Sequence, residues 1–222
     1  MKFPVLFINF KTYKEATGKN AIKLASVAKK ISSKRKKNIV IVAQPTDIAA
    51  VSRLGIAVFS QHLDAVGYGS NTGFILPEAV KSAGAKGTVL NHAEHKLSDD
   101  VLEKSIARAK EVGLLVMACA ETTERARKIA SFRARPDLIA VEPPELIGGD
   151  ISVSTANPKI ISDTVKAVHA ISNIHVITGA GIKNGSDAKK AVQLGCKGVF
   201  VASGIVKAGN SRKAIEEIVS GL

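Results

Sequence analysis

Eight short apolar runs recur along this 222-residue chain, and a stretch of helical pattern separates each from the next. The runs are Val5–Ile8, Ile39–Ala43, Ala57–Ser60, Gly87–Leu90, Leu114–Ala118, Leu138–Val141, His175–Thr178 and Gly198–Ala202. Each is nearly continuous rather than alternating, the pattern of parallel strands covered on both faces. Between them, Asn20–Ser32, Ser98–Val112, Asn157–Ile171 and Ser186–Gly195 read as helices, with apolar residues spaced by three and four. Gly55, Gly84, Gly113 and Gly195 stand where a helical pattern stops and the next run begins, suited to a left-handed closing residue. Ser98, Thr122 and Asn157 mark helix starts, the last followed by Pro158 at a first helical position. The count predicts an α/β chain folded as a single (β/α)8 barrel domain over residues 1–222. An open doubly wound sheet fits less well, because no glycine-rich dinucleotide turn follows the first run.

The rest of the chain bounds what such a barrel serves. No apolar run approaches the ~18 residues of a membrane span, and "MKFPVLFINFK" reads as a buried strand rather than a signal peptide, so a cytoplasmic location without membrane attachment is expected. Cys119 and Cys196 lie in separate apolar contexts, as free thiols do. The net charge of +13 points to nucleic acid, a membrane surface or an anionic substrate. Its densest run, "SKRKKN" at Ser33–Asn38, ends a helical pattern, where the helix dipole favours cations. Aromatic residues are only 4% and none flanks that run, so a stacking platform for single strands is not supported and no nucleic-acid partner is expected.

In a barrel of this kind chemistry sits where strands end. The first run ends in "INFKTY", with Asn9 and Lys11; the fourth in "LNHAEHK", with Asn91, His92 and Glu94; the sixth in Glu142; the seventh and eighth in "TGAGIKNG" and "ASGIVKAG". A cation, an imidazole and a carboxylate thus gather at one rim beside two glycine-containing loops. Successive backbone N–H groups in such loops form a phosphate pocket. A carboxylate next to a carbonyl polariser and a cation suits proton abstraction beside a carbonyl. His62 and Asp64, in "QHLD", are too few for a metal site, and no metal, nucleotide or redox cofactor is called for.

"NFK", "NHAE", "VEPPELIG", "TGAGI" and "ASG", in this order across essentially the whole chain, resemble the triosephosphate isomerase family, most closely its compact archaeal branch. "VEPPELIG" is the most specific of them, and Cys119 in "ACAE" also resembles the family. The resemblance implies isomerisation of dihydroxyacetone phosphate and D-glyceraldehyde 3-phosphate through an enediolate, in glycolysis and gluconeogenesis. Asn9 and Lys11 would bind substrate, neutral His92 would act as electrophile beside a helix N-terminus, and Glu142 would move the proton. Ile147, Gly181, Ala202 and Ser203 would hold phosphate through backbone amides, and Glu94 would support Lys11. The sequence departs from the commoner family pattern at Ala93, where a hydroxyl is lost, and at Gly148-Gly149-Asp150. The runner-up is another phosphate-binding barrel acting on a sugar phosphate, which shares the last two loops but not Lys11, His92 and Glu142.

Residues 141–150, "VEPPELIGGD", place a stiff Pro143-Pro144 and a flexible Gly148-Gly149 at the two ends of one loop directly after Glu142. A lid needs such hinges, to dry the base and to keep the enediolate from losing phosphate. The loop of Gln61–Pro77 is the longest, which in compact domains marks function. By resemblance its Thr72-Gly73 tip reaches a neighbouring subunit, implying a homo-oligomer, dimer or tetramer.

Overall fold

All eight apolar runs form strands. The computed structural model describes residues 1–142, 158–179 and 181–222. The strands are β1 (Val5–Asn9), β2 (Asn38–Ala43), β3 (Ala57–Ser60), β4 (Gly87–Leu90), β5 (Leu115–Ala120), β6 (Leu138–Val141), β7 (His175–Thr178) and β8 (Gly198–Val201). All pair in parallel in chain order, and β8 pairs back to β1, closing an eight-stranded barrel. The expected boundaries shift only at ends: β5 runs on to Ala120, and β8 stops one residue short of Ala202.

The described helices are α1 (Lys19–Arg35), α2 (Ile48–Ser52), α3 (Pro77–Ser82), α4 (Asp99–Glu111), α5 (Thr123–Ala130), α6 (Pro158–His169), α7 (Gly185–Gln193), α8 (Ser203–Val206) and α9 (Ser211–Ser220). Ser98 and Thr122 cap α4 and α5 by accepting the Val101 and Arg125 amides. Gly55, Gly84, Gly113 and Gly195 all adopt positive φ, as the left-handed reading requires. The basic run ends α1, with Lys36 as its left-handed cap and the Lys37 ammonium donating to the Leu222 carbonyl. Asn157 and the expected lid, including Ile147 and both proposed hinges, lie outside the described residues.

Strand alternation separates two cores. Leu6, Ile8, Ile39 and Ile41 pack outwards beneath the helices, with Leu24 and Ile31 of α1. Val5, Phe7, Val40, Phe59, Met117 and Phe200 are among those that fill the barrel interior. There Phe7 meets Phe59 and Phe200 edge-on, with ring centroids 5.4 and 6.4 Å apart. This plug makes the barrel a packed core rather than a pore. The same parity sets the site. Asn9 follows Val5 and Phe7 on the inner face of β1, and Glu142 lies two residues beyond inward-facing Ala140.

Candidate active site

Lys11 leaves β1 with φ of +45°, a conformation that costs a non-glycine residue of order 1–3 kcal/mol and needs external support. Asn9 accepts the Lys11 amide at 3.0 Å, and the Gln61 side-chain amide donates to the Lys11 carbonyl at 2.9 Å. The Lys11 ammonium lies 2.6 Å from Glu94 Oε1. The cation therefore has a fixed position at both its root and its tip.

His92 is aimed by its neighbours. Asn91 takes φ of +58°, donates to the Cys119 carbonyl at 2.8 Å and accepts the Leu97 amide at 2.9 Å, which pins the turn. His92 Nδ1 accepts the Glu94 amide at 3.1 Å, so in the neutral ring the hydrogen is on Nε2. Nε2 points to Glu142 Oε2, 3.8 Å away. Burial lowers the His92 pKa and the Lys11 charge lowers it further, against an opposing pull from Glu94. The direction matches expectation, but the cause is not a helix N-terminus: α4 begins only at Asp99.

Glu142 is 7% exposed, and its Oε2 has no hydrogen-bond partner among the described residues. Burial pushes its pKa up to about 7, while a hydrogen bond from the Cys119 thiol and the Lys11 charge pull the other way. Such a value suits a group that takes and returns a proton near neutrality. Gly179 makes room for it: a Cβ there would lie 2.7 Å from Glu142 Oε1 and 2.7 Å from the Phe200 carbonyl oxygen.

These groups line a cavity of about 320 Å³ at the barrel mouth. Its far wall is Gly181, with φ of +70°, and the start of α8 at Ala202 and Ser203, whose first turn no side chain caps. Of the site residues read from sequence, Asn9, Lys11, His92, Glu142, Gly181, Ala202 and Ser203 all border this cavity. Glu94 stands behind Lys11 and His92, and Ile147 lies outside the described residues. Sequence reasoning gave no role to Gln61, Asn91 or Gly179. Gln61 was legible only as a polar residue just past a strand end, and Gly179 only as part of "TGAGI". Among the described residues no group of three or more His, Cys, Asp or Glu is placed to hold a metal ion. No described helix is long and apolar enough to cross a membrane. Both cysteines are buried and unbridged.

A family model described as triosephosphate isomerase matches residues 4–220. A triosephosphate isomerase of Methanothermus fervidus is 40% identical over 222 residues, 99% of each chain. Those of Methanocaldococcus jannaschii and Archaeoglobus fulgidus are 41% and 40% identical, covering 97% and 98% of this chain and 98% of each relative. With barrel, rim residues and whole-length similarity in agreement, the chain belongs to the triosephosphate isomerase family.

Proposed function

We propose that Glu142, His92 and Lys11 carry out, in this chain, the interconversion of dihydroxyacetone phosphate and D-glyceraldehyde 3-phosphate that defines its family. The observation that carries the assignment is the 3.8 Å separation of His92 Nε2 and Glu142 Oε2 at the cavity rim, with the Lys11 ammonium fixed beside them. Glu142 Oε2 takes a proton from the carbon next to the substrate carbonyl. His92 Nε2–H donates to the carbonyl oxygen as that oxygen gains charge. The resulting enediolate is stabilised by the fixed Lys11 cation, which needs no reorganisation during the step. The hydroxyl proton of the neighbouring oxygen passes to the former carbonyl oxygen by way of His92 Nε2, and Glu142 returns its proton to the former carbonyl carbon, so the carbonyl moves by one carbon and nothing is consumed.

Phosphate is read at the other wall, on the backbone amides of Gly181, Ala202 and Ser203, with Ile147 as a further amide by resemblance. Uncapped N–H groups at the first turn of α8 support that reading. Asn9 orients both Lys11 and substrate. The working enzyme is read as a cytoplasmic homo-oligomer, in which the Thr72-Gly73 tip of the loop after β3 enters a neighbour's rim.

A coupled assay in both directions tests the assignment. Glu142→Gln should lower kcat by the ~10²–10⁴ typical of a positioned acid–base group, with an unchanged fold by circular dichroism. Near-normal turnover in a folded variant would remove Glu142 from the chemistry.

A further inference from the structure

One carboxylate closes the base of the loop after β3. Asp64 Oδ2 accepts the Ile75 amide at 2.6 Å, and the Asp64 amide donates to the Ile75 carbonyl at 3.0 Å. Its other oxygen, Oδ1, lies 3.2 Å from His62 Nε2. The His62 ring faces His95, from the loop after β4, with centroids 4.3 Å apart and planes tilted by 40°. Two imidazoles and a carboxylate therefore join the base of one rim loop to the next. The isomerisation uses neither ring. The His62 side chain is 14% exposed, whereas His95 stands open to solvent.

The surroundings have the features of an interface. Beside the pair lies a cavity of about 230 Å³, bounded by the back of Lys11, by Gln61 and by Glu94. The loop itself carries a small uncharged tip, "GSNTG" at 69–73, between Tyr68 and Phe74. Those two are the most exposed large apolar side chains among the described residues, at 80% and 58%. Lys11, Gln61 and Glu94 offer this cleft polar groups that a tip of this kind can meet, and among the described residues nothing covers the flanking aromatic rings.

We propose that His62, Asp64 and His95 form an acid-sensitive latch on self-association: the neutral pair admits the 69–73 tip of a second copy beside Lys11, and protonation of both rings expels it. The inference rests on the oligomer reading given above. Four ionisable groups face the pair. Asp64 comes from the His62 loop, Glu94 and His92 from the loop after β4, and Lys11 from the loop after β1; each ring also faces the other. Asp64 accommodates a first proton. A second places two cations at stacking distance, and Glu94 is already engaged by the Lys11 ammonium at 2.6 Å. A docked tip also takes water from the face of the pair, and a charged ring loses more by that than a neutral one. Burial lowers the His62 pKa, Asp64 opposes and His95 adds to the lowering. A base whose pKa is lower in the assembled state than in the free subunit costs assembly nothing while both are neutral and opposes it increasingly as pH falls, so the weakening lies on the acid side.

Sedimentation velocity at pH 7.5 and pH 5.0, at fixed ionic strength, reads the latch without relying on activity. Wild type should be oligomeric at pH 7.5 and associate at least ~10-fold more weakly at pH 5.0, as one pH unit on one group implies. His95→Asn and His95→Gln should stay associated at pH 5.0. Equal association of wild type at both pH values overturns the latch, as does acid dissociation of both variants alongside wild type. Loss of the oligomer at pH 7.5 in both variants overturns it too, since His95 would then serve contact and not charge. So does dissociation accompanied by loss of far-ultraviolet circular dichroism. A wild type monomeric at pH 7.5 removes the oligomer reading itself, and the latch with it.

Discussion

Glu142 and Lys11 are both held in costly states, and their neighbours explain how. The Glu142 carboxylate is buried, and the Cys119 thiol opposes the resulting rise in its pKa. Glu142 acts as carboxylate, so kcat/KM should fall as pH drops through about 7, well above the ordinary carboxylate range. Cys119→Ala removes the lowering hydrogen bond and should move that acid limb to higher pH, while Cys119→Ser keeps a donor and should not. An unmoved limb in Cys119→Ala would show that the thiol only fills space. Lys11 depends on Gln61, whose amide holds its carbonyl at 2.9 Å. Gln61→Leu should raise KM and lower kcat together, by roughly tenfold or more in kcat/KM, as expected when a cation acting in both ground and transition states is misplaced. A change confined to thermal stability would make Gln61 structural. Asn9, Lys11, His92 and Glu142 were legible as residues at strand ends. Gln61 and Gly179 were not, because their roles depend on what stands across the barrel from them.

At the scale of elements, the strands were the most legible feature. Burial on both faces forces each into a near-continuous apolar run, and such runs are hard to mistake when eight recur. Helices α1, α4, α6 and α7 were legible by their spacing, and α5 only at its Thr122 cap. Helices α2, α3 and α8 are four to six residues long, too short for a periodic pattern to show. Thr122 accepts the Arg125 amide at 3.0 Å, so Thr122→Ala should cost about 0.5–2 kcal/mol, measured by chemical denaturation, and leave kcat intact. The basic end of α1 makes a parallel case. Serine at Lys34, Arg35, Lys36 and Lys37 should leave kcat unchanged, since Lys37 is tied to the Leu222 carbonyl beside β2, at the end of the barrel away from the site. A large loss of kcat/KM at low salt would instead show that this run steers anionic substrate.

The whole molecule closes along one seam, where β8 meets β1 with Gly198 paired to Val5. A Cβ on Gly198, at φ of +156°, would run into the Val5 carbonyl oxygen. Gly198→Ala should therefore destabilise the barrel by about 1–3 kcal/mol or more, and thermal denaturation should register it as one cooperative shift. A variant as stable as wild type would mean that the seam yields without strain. The same pairing bears on how the protein is made. A chain growing from its N-terminus completes β1 almost two hundred residues before β8 exists to pair with it. Until then one side of β1 is an unpaired edge of apolar backbone, open to any other strand, and only the last strand to leave the ribosome removes the hazard.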